Sequence, residues 1–175
     1  RDDFSFEPGE TFSKLNVTIG APDEPLVMQL ENMLGKSSVS SILPAVMVAR
    51  HMGLSDEQIL SGTKKIAFEP GRMNPLAGIK GSLLIDSSYN AAPASMVAAL
   101  DVLAEFTPVE SAHRIAALGH MAELGRYTEQ EHRMIGMRVA EAGVDILVTV
   151  GEMTRDVRKG AIEAGVDKSH THHFN

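Results

Sequence analysis

The sequence predicts an α/β fold in two parts, a strand-rich segment carrying two helices and then a parallel βαβ domain. Three observations predict it. Residues 82–175 repeat a cycle of short apolar run and amphipathic stretch, and that spacing argues for right-handed βαβ units around a parallel sheet. Residues 1–66 open instead with alternating apolar residues and close with two helical stretches. Between them, Pro70, Gly71, Pro75, Gly78 and Gly81 crowd into residues 67–81, backbone punctuation of the kind that marks a boundary. The expected partition is therefore 1–68, a linker over 69–81, and 82–175.

In chain order, Phe4, Phe6, Phe12, Leu15, Val17 and Ile19 flank Pro8-Gly9 and read as a hairpin about a turn. Leu26, Met28 and Leu30 alternate through a further strand over 26–34. A helix follows over 39–51, with Pro44 limiting or bending its start and Gly53 as its stop. Ser55-Asp56-Glu57-Gln58 has the spacing of a capping box and opens a second helix. In the later part, Leu83-Leu84-Ile85 is a strand and 93–106 a helix with Pro93 at its first position. Strands over 115–118 and 146–150 alternate with helices starting at Thr128 and near Met153. Thr128-Glu129-Gln130-Glu131 reads as another capping box. The strand runs are apolar on both faces, as covered strands are, and a further strand is expected near His173. The methionines fall mostly at core spacing and read as packing.

The totals narrow the function classes. Across 175 residues, 43% are hydrophobic and 22% charged, which fits a globular protein and argues against disorder. No apolar run approaches the ~20 residues of a membrane span, so no membrane insertion is expected, and no secretory leader is visible. A net charge of −7 gives no basic footprint for nucleic acid. Cysteine is absent, which removes disulfides and thiolate metal sites and is compatible with a reducing compartment.

Ligands of open parallel α/β sheets bind outside the carboxyl ends of the strands. That edge should carry three loops: Asp86-Ser87-Ser88-Tyr89-Asn90-Ala91-Ala92, Gly119-His120-Met121-Ala122-Glu123-Leu124-Gly125, and Gly151-Glu152. Asp86, Tyr89, Asn90, His120 and Glu123 are thus expected on one rim. A plainer account fits the same pattern equally well: Asp86 and Ser87 as helix caps, Gly119 and Gly125 as turn formers.

Three blocks in order resemble the Mur ligase family. They are Glu69-Pro70-Gly71-Arg72, then 84–96 reading Leu-Ile-Asp-Ser-Ser-Tyr-Asn-Ala-Ala-Pro-Ala-Ser-Met, then 118–125 reading Leu-Gly-His-Met-Ala-Glu-Leu-Gly with His132 downstream. The likeness is to the branch that adds D-alanyl-D-alanine and covers roughly residues 33–153. It implies a cytoplasmic, three-domain, ATP-dependent ligase of peptidoglycan precursor synthesis. In such an enzyme ATP with Mg2+ phosphorylates the carboxylate of UDP-MurNAc-tripeptide, and the amine of D-Ala-D-Ala displaces the phosphate. This chain would then be the end of the central ATPase-type domain followed by the Rossmann-like last domain. The P-loop and N-terminal segments of the enzyme, which hold most of the ATP and Mg2+, would lie outside it, so that alone it should not turn over ATP. The resemblance assigns catalytic and phosphate-binding roles to Arg72, whose guanidinium is always charged and donates in bidentate fashion. Asp86, Ser87, Tyr89 and Asn90 fall on the nucleotide side, and His120, Glu123 and His132 on the side of the incoming dipeptide. No metal ligand is assigned to this chain, and its oligomeric state is not readable.

The sequence departs from the family pattern in places. Ser87 stands for a second acidic residue, Ala92 for an asparagine and His120 for an aspartate. Ser37, Ser38 and Ser41 replace a histidine and two asparagines beside adenine. Gly35-Lys36-Ser37 resembles the end of a P-loop, but Leu30 occupies the position of its first glycine. Other readings remain open. Glu123 suits a substrate ammonium or a cap, and His132 suits a site role or a buried, hydrogen-bonded place in its helix. His170, His172 and His173 read as a solvated strand entry more readily than as a metal tract. A sibling amide ligase, or a nucleotide- or partner-binding α/β module without catalysis, are the alternatives.

Overall fold

The computed structural model describes residues 14–20, 25–31, 33–66, 69–107 and 112–175. Two compact units emerge, Arg1–Tyr89 and Asn90–Asn175. The hairpin expected about Pro8-Gly9 lies outside the described residues.

In the first unit, β1 (Lys14–Ile19) pairs antiparallel with β2 (Leu26–Glu31), Val17 opposite Met28. The period of two puts Leu26, Met28 and Leu30 inside and leaves Val27 half exposed. Helix α1 runs Gly35–His51, starting before the expected Val39. Serines disfavour helix interiors because they compete for backbone groups, yet their hydroxyls can bond back one turn. Ser38 Oγ donates to the Leu34 carbonyl at 2.8 Å and Ser40 Oγ to that of Lys36 at 3.3 Å. Pro44 lies inside this helix rather than limiting it. Helix α2 (Asp56–Thr63) opens on the expected reciprocal cap: Gln58 N–H donates to Ser55 Oγ at 3.3 Å and Ser55 N–H to Gln58 Oε1 at 2.9 Å. Met28, Leu30, Ile42, Val46 and Ile59 form this unit's core.

The same unit holds β3 (Asn74–Ala77) and β4 (Leu83–Asp86), antiparallel, with Asn74 opposite Asp86. This corrects two expectations. Residues 69–81 carry a strand, and Leu83-Leu84-Ile85 joins an antiparallel ribbon instead of opening the parallel sheet. The cause is the short connection. Gly78 N–H bonds the Ser82 carbonyl at 2.7 Å and Ser82 N–H bonds that of Ile79 at 3.1 Å, and so tight a turn returns the chain antiparallel, whereas parallel pairing needs a crossover of a dozen residues or more.

In the second unit, helix α3 (Pro93–Glu105) precedes β5 (Ile115–Leu118), α4 (Thr128–Glu141), β6 (Ile146–Val150), α5 (Arg155–Glu163) and β7 (Thr171–Phe174). The strands form a parallel sheet in the order β5-β6-β7, which gives the expected βαβ alternation. Met96 and Leu100 of α3, Ile135 and Val139 of α4, and Val157 and Ala161 of α5 share one core cluster with Ala116 and Leu147. Because all three helices feed this one cluster, one sheet face is buried while Ile115 and Val150 stay about half exposed, against the expectation of strands covered on both faces. The methionine reading also needs correction: Met28, Met33, Met96 and Met121 are buried, but Met47, Met52, Met137 and Met153 are exposed.

Helix α4 starts without the expected capping box. A 3₁₀ turn, Gly125–Tyr127, leads into it, and Thr128 Oγ1 donates to the Gly125 carbonyl at 2.7 Å, so this hydroxyl closes the turn instead of accepting from the helix. Helices α4 and α5 approach through glycine: a Cβ on Gly136 would sit 2.0 Å from the Val157 carbonyl oxygen, and one on Gly160 would sit 2.2 Å from that of Arg133.

Candidate functional site

In the first unit Arg72 and Tyr89, two of the expected nucleotide-side residues, meet at a backbone turn. Gly71 takes φ 75°, and a Cβ there would meet Tyr89 N at 2.9 Å, so the position needs glycine for both conformation and space. The approach lets Tyr89 N–H donate to the Gly71 carbonyl at 3.1 Å. The next residue, Arg72, lays its guanidinium over the Tyr89 ring, 4.2 Å from the centroid, a cation–π contact between two exposed side chains. With its side-chain nitrogen turned toward them, the Asn74 amide is placed to donate to the carbonyls of Glu69 at 2.8 Å and Arg72 at 3.1 Å, bracing the turn from the other side. Asn74 escaped the sequence reading; its strand pairing opposite Asp86 is the missing signal, since it follows from the β3–β4 register.

Asp86 ends β4 and accepts the Ser88 N–H on Oδ1 at 3.0 Å. Hydrogen bonds from Ser88, side chain first and backbone second, hold its carboxyl below the ordinary carboxylate value. It therefore caps its own turn and not helix α3, whose N-cap is Ala92. Ser87 is half buried and its side chain makes no hydrogen bond among the described residues. Asn90, in the second unit, spends its Oδ1 on the N–H of Ala91 at 2.9 Å.

In the second unit, the 119–125 loop leaves the carboxyl end of β5. Met121 is its anchor, fully buried in the core cluster. His120 is exposed, and its Nδ1 lies close to Gly151, the turn after β6, where a Cβ would come within 3.3 Å. Two of the three expected loops thus meet at the sheet edge. Glu123 is exposed at φ 63°. His132, for which a site role and a buried, hydrogen-bonded place were both open, is buried: the ring has no exposed surface, and its nitrogens bond Met121 N–H and the Thr128 carbonyl. His173 bonds Thr149 Oγ1 through Nδ1 at 3.0 Å and accepts from Arg155 Nε at 3.3 Å.

The Gly35-Lys36-Ser37 stretch forms the first turn of α1, directly after extended Leu34. A cavity of about 610 Å³ lies between β2 and α2, lined by Gln29, Leu60, Thr63 and Lys64 among others, and none of the expected site residues line it. Among the described residues no group of three or more His, Asp or Glu side chains could hold a metal ion, and no helix is long and apolar enough to cross a membrane.

Comparison with known proteins adds an independent line. The family described as "Mur ligase, glutamate ligase domain" matches residues 71–175. The UDP-N-acetylmuramoyl-tripeptide–D-alanyl-D-alanine ligase of Escherichia coli K12 is 32% identical over 123 residues, 70% of this chain and 26% of that protein. The ligase of the same name from Synechocystis is 33% identical over 143 residues, 82% of this chain and 30% of that one. Among solved structures, MurF from Acinetobacter baumannii aligns with TM-score 0.76 at 28% identity, over 93% of this chain and 33% of its own. A Thermotoga maritima MurF solved with ADP shares the fold at TM-score 0.71 and 20% identity, over 98% of this chain and 41% of its own. The chain therefore spans under a third of the length of these curated relatives. With the family match covering Arg72, all three expected loops and the whole parallel sheet, this chain belongs to the Mur ligase family.

Proposed function

We propose that this chain is part of an ATP-dependent ligase that joins D-Ala-D-Ala to UDP-MurNAc-tripeptide through an acyl phosphate, and that it supplies the closing, amine-side domain. The observation that carries the reading is the Arg72 turn. A guanidinium is held at a fixed place by backbone pinning at Gly71 and Asn74 and by the Tyr89 face, and a cation so prepared costs little reorganisation when phosphate charge develops beside it. The nucleotide supplies the phosphoryl group; Arg72 would neutralise its oxygens, while Asp86, Ser87 and Asn90 would border the nucleotide and Glu123 and His120 the dipeptide. Mg2+ would be held by the nucleotide phosphates and by other parts of the enzyme. Work in the cytoplasm follows from such substrates.

The experiment is dipeptide-dependent phosphate release by the intact ligase carrying this chain. Arg72→Ala should lower kcat/KM by about 10²–10³-fold, the range for losing one preorganised charge donor. A wild-type rate in that variant refutes the role of Arg72, and no dipeptide-dependent release from the unaltered enzyme refutes the ligase reading. One observation favours the non-catalytic alternative: the Ser38 hydroxyl, standing where the family pattern has an asparagine beside adenine, is turned back onto the Leu34 carbonyl. Nucleotide binding without turnover would identify that case.

A further inference from the structure

The 119–125 loop contains a contradiction. Glu123 sits at φ 63°, a left-handed conformation that costs a non-glycine residue about 1–2 kcal/mol, although glycines stand nearby at 119 and 125. Such strain persists only where the surroundings over-determine it. Glu123 does not provide the constraint itself, because its side chain is exposed and forms no ion pair among the described residues.

The constraint comes from His132. Its Nε2 accepts the Met121 N–H at 3.0 Å and its Nδ1 meets the Thr128 carbonyl at 2.7 Å. A carbonyl needs a donor and an amide N–H needs an acceptor, so both bonds form only with the neutral, Nδ1-protonated ring. One imidazole with no exposed surface thereby ties residue 121 to residue 128, the two ends of the segment that contains Glu123. Two further hydrogen bonds, Tyr127 N–H to the Leu124 carbonyl at 3.1 Å and Thr128 Oγ1 to that of Gly125 at 2.7 Å, narrow the path between those ends, and the Met121 side chain is buried in the core.

We propose that His132 is a positioning residue that clamps the 121–128 segment so that Glu123 presents its carboxylate as a fixed charge to the primary ammonium of the incoming amine substrate. The identity of that ligand rests on the ligase reading above; the clamp does not. The imidazole itself touches no ligand.

The test is a double-mutant cycle in the intact ligase, read as KM for the dipeptide and kcat, with hydrogen exchange on peptides spanning 119–128 in the same protein. His132→Asn keeps a donor near Thr128 but is too short to accept from Met121. His132→Gln places a carbonyl oxygen near the Nε2 position. H132N should raise the dipeptide KM about tenfold or more and speed exchange at Met121 by about 10- to 100-fold, as expected for a buried donor left unsatisfied. H132Q should recover most of both. E123Q should raise KM similarly, and H132N added to E123Q should raise it little further, because the two act as one unit. Additive effects in the cycle, or H132N with wild-type KM, overturn the positioning role. Wild-type exchange at Met121 in H132N overturns the clamp. Absent dipeptide turnover in the unaltered enzyme, with H132N still speeding exchange, overturns the ligand and the ligase reading while leaving the clamp standing.

Discussion

Gly136→Ala tests the packing of the second unit most severely. The added Cβ would lie 2.0 Å from the Val157 carbonyl oxygen, 2.6 Å from Ala161 N and 2.9 Å from the Gly160 carbonyl carbon. All three are backbone atoms, so no side chain can swing aside. Ordinary contact begins near 3.4 Å, so α4 and α5 must separate locally by about 1.4 Å or the chain must shear. A gap of even 0.5–1 Å forfeits about a quarter to a half of the dispersion well of each facing atom pair. Ile135, Val139, Val157 and Ala161 lose contacts in this way, and all four are fully buried. Overpacking of this kind costs about 1–3 kcal/mol and occasionally more, against a helix-propensity gain of at most about 1 kcal/mol. With backbone on both sides the upper end applies, and a net loss of about 2–3 kcal/mol is expected. Urea unfolding of the second unit reads it as a midpoint lowered by about 1–2 M at unchanged slope. Gly62→Ala is the contrast, since Gly62 lies in α2 with nothing within 4 Å of its Cβ position; there alanine should stabilise the first unit by about 0.4–1 kcal/mol. A Gly136→Ala midpoint within about 0.2 M of wild type, a few tenths of a kcal/mol at usual slopes, refutes the close-approach argument.

Two further outcomes follow from the first unit. Ser55→Ala removes one half of the α2 capping box and should cost about 1 kcal/mol of local stability, read as faster hydrogen exchange across 56–63; exchange unchanged there would mean the cap bonds contribute nothing. The Asp86 carboxyl should titrate below its ordinary value of 3.8 when followed by carboxyl-carbon NMR, and Ser88→Ala should move it upward. Because the folded value is the lower one, the stabilisation is present above the ordinary value and is lost as pH falls through the depressed one; a midpoint at or above 3.8 removes the assigned cause.

Legibility in the sequence followed the range of the interactions concerned. Local signals were readable: in the second unit the apolar runs at 115–118 and 146–150 became β5 and β6 with those bounds, and in the first unit the Ser55 box formed as spaced. Misreadings arose where a short pattern admits two partners. Thr128-Glu129-Gln130-Glu131 has capping-box chemistry, but a preceding 3₁₀ turn offered the hydroxyl a carbonyl first. Leu83-Leu84-Ile85 has the composition of a buried parallel strand, and only the turn at 78–82 decided its direction. The site was readable as a set of residues but not as a set of roles. Nothing in the sequence separates a ligand-facing His132 from a clamp, because burial depends on α4 packing against the core.

The departures from the family pattern gain a physical meaning from this division. Ser87, Ala92 and His120 stand where other side chains were expected, and the structure asks little of them. Ser87 and His120 make no side-chain hydrogen bond among the described residues, and Ala92 engages Ser95 through its backbone N–H and C=O. The geometry of both site elements instead depends on backbone-directed contacts made by residues that look unremarkable in the sequence. Gly71 and Asn74 shape the Arg72 turn, and Met121 and His132 shape the loop. Side chains at the unconstrained positions can therefore change the chemistry presented to a ligand without disturbing the scaffold. Replacing His132 or Gly71 would alter the scaffold first and the chemistry only as a consequence.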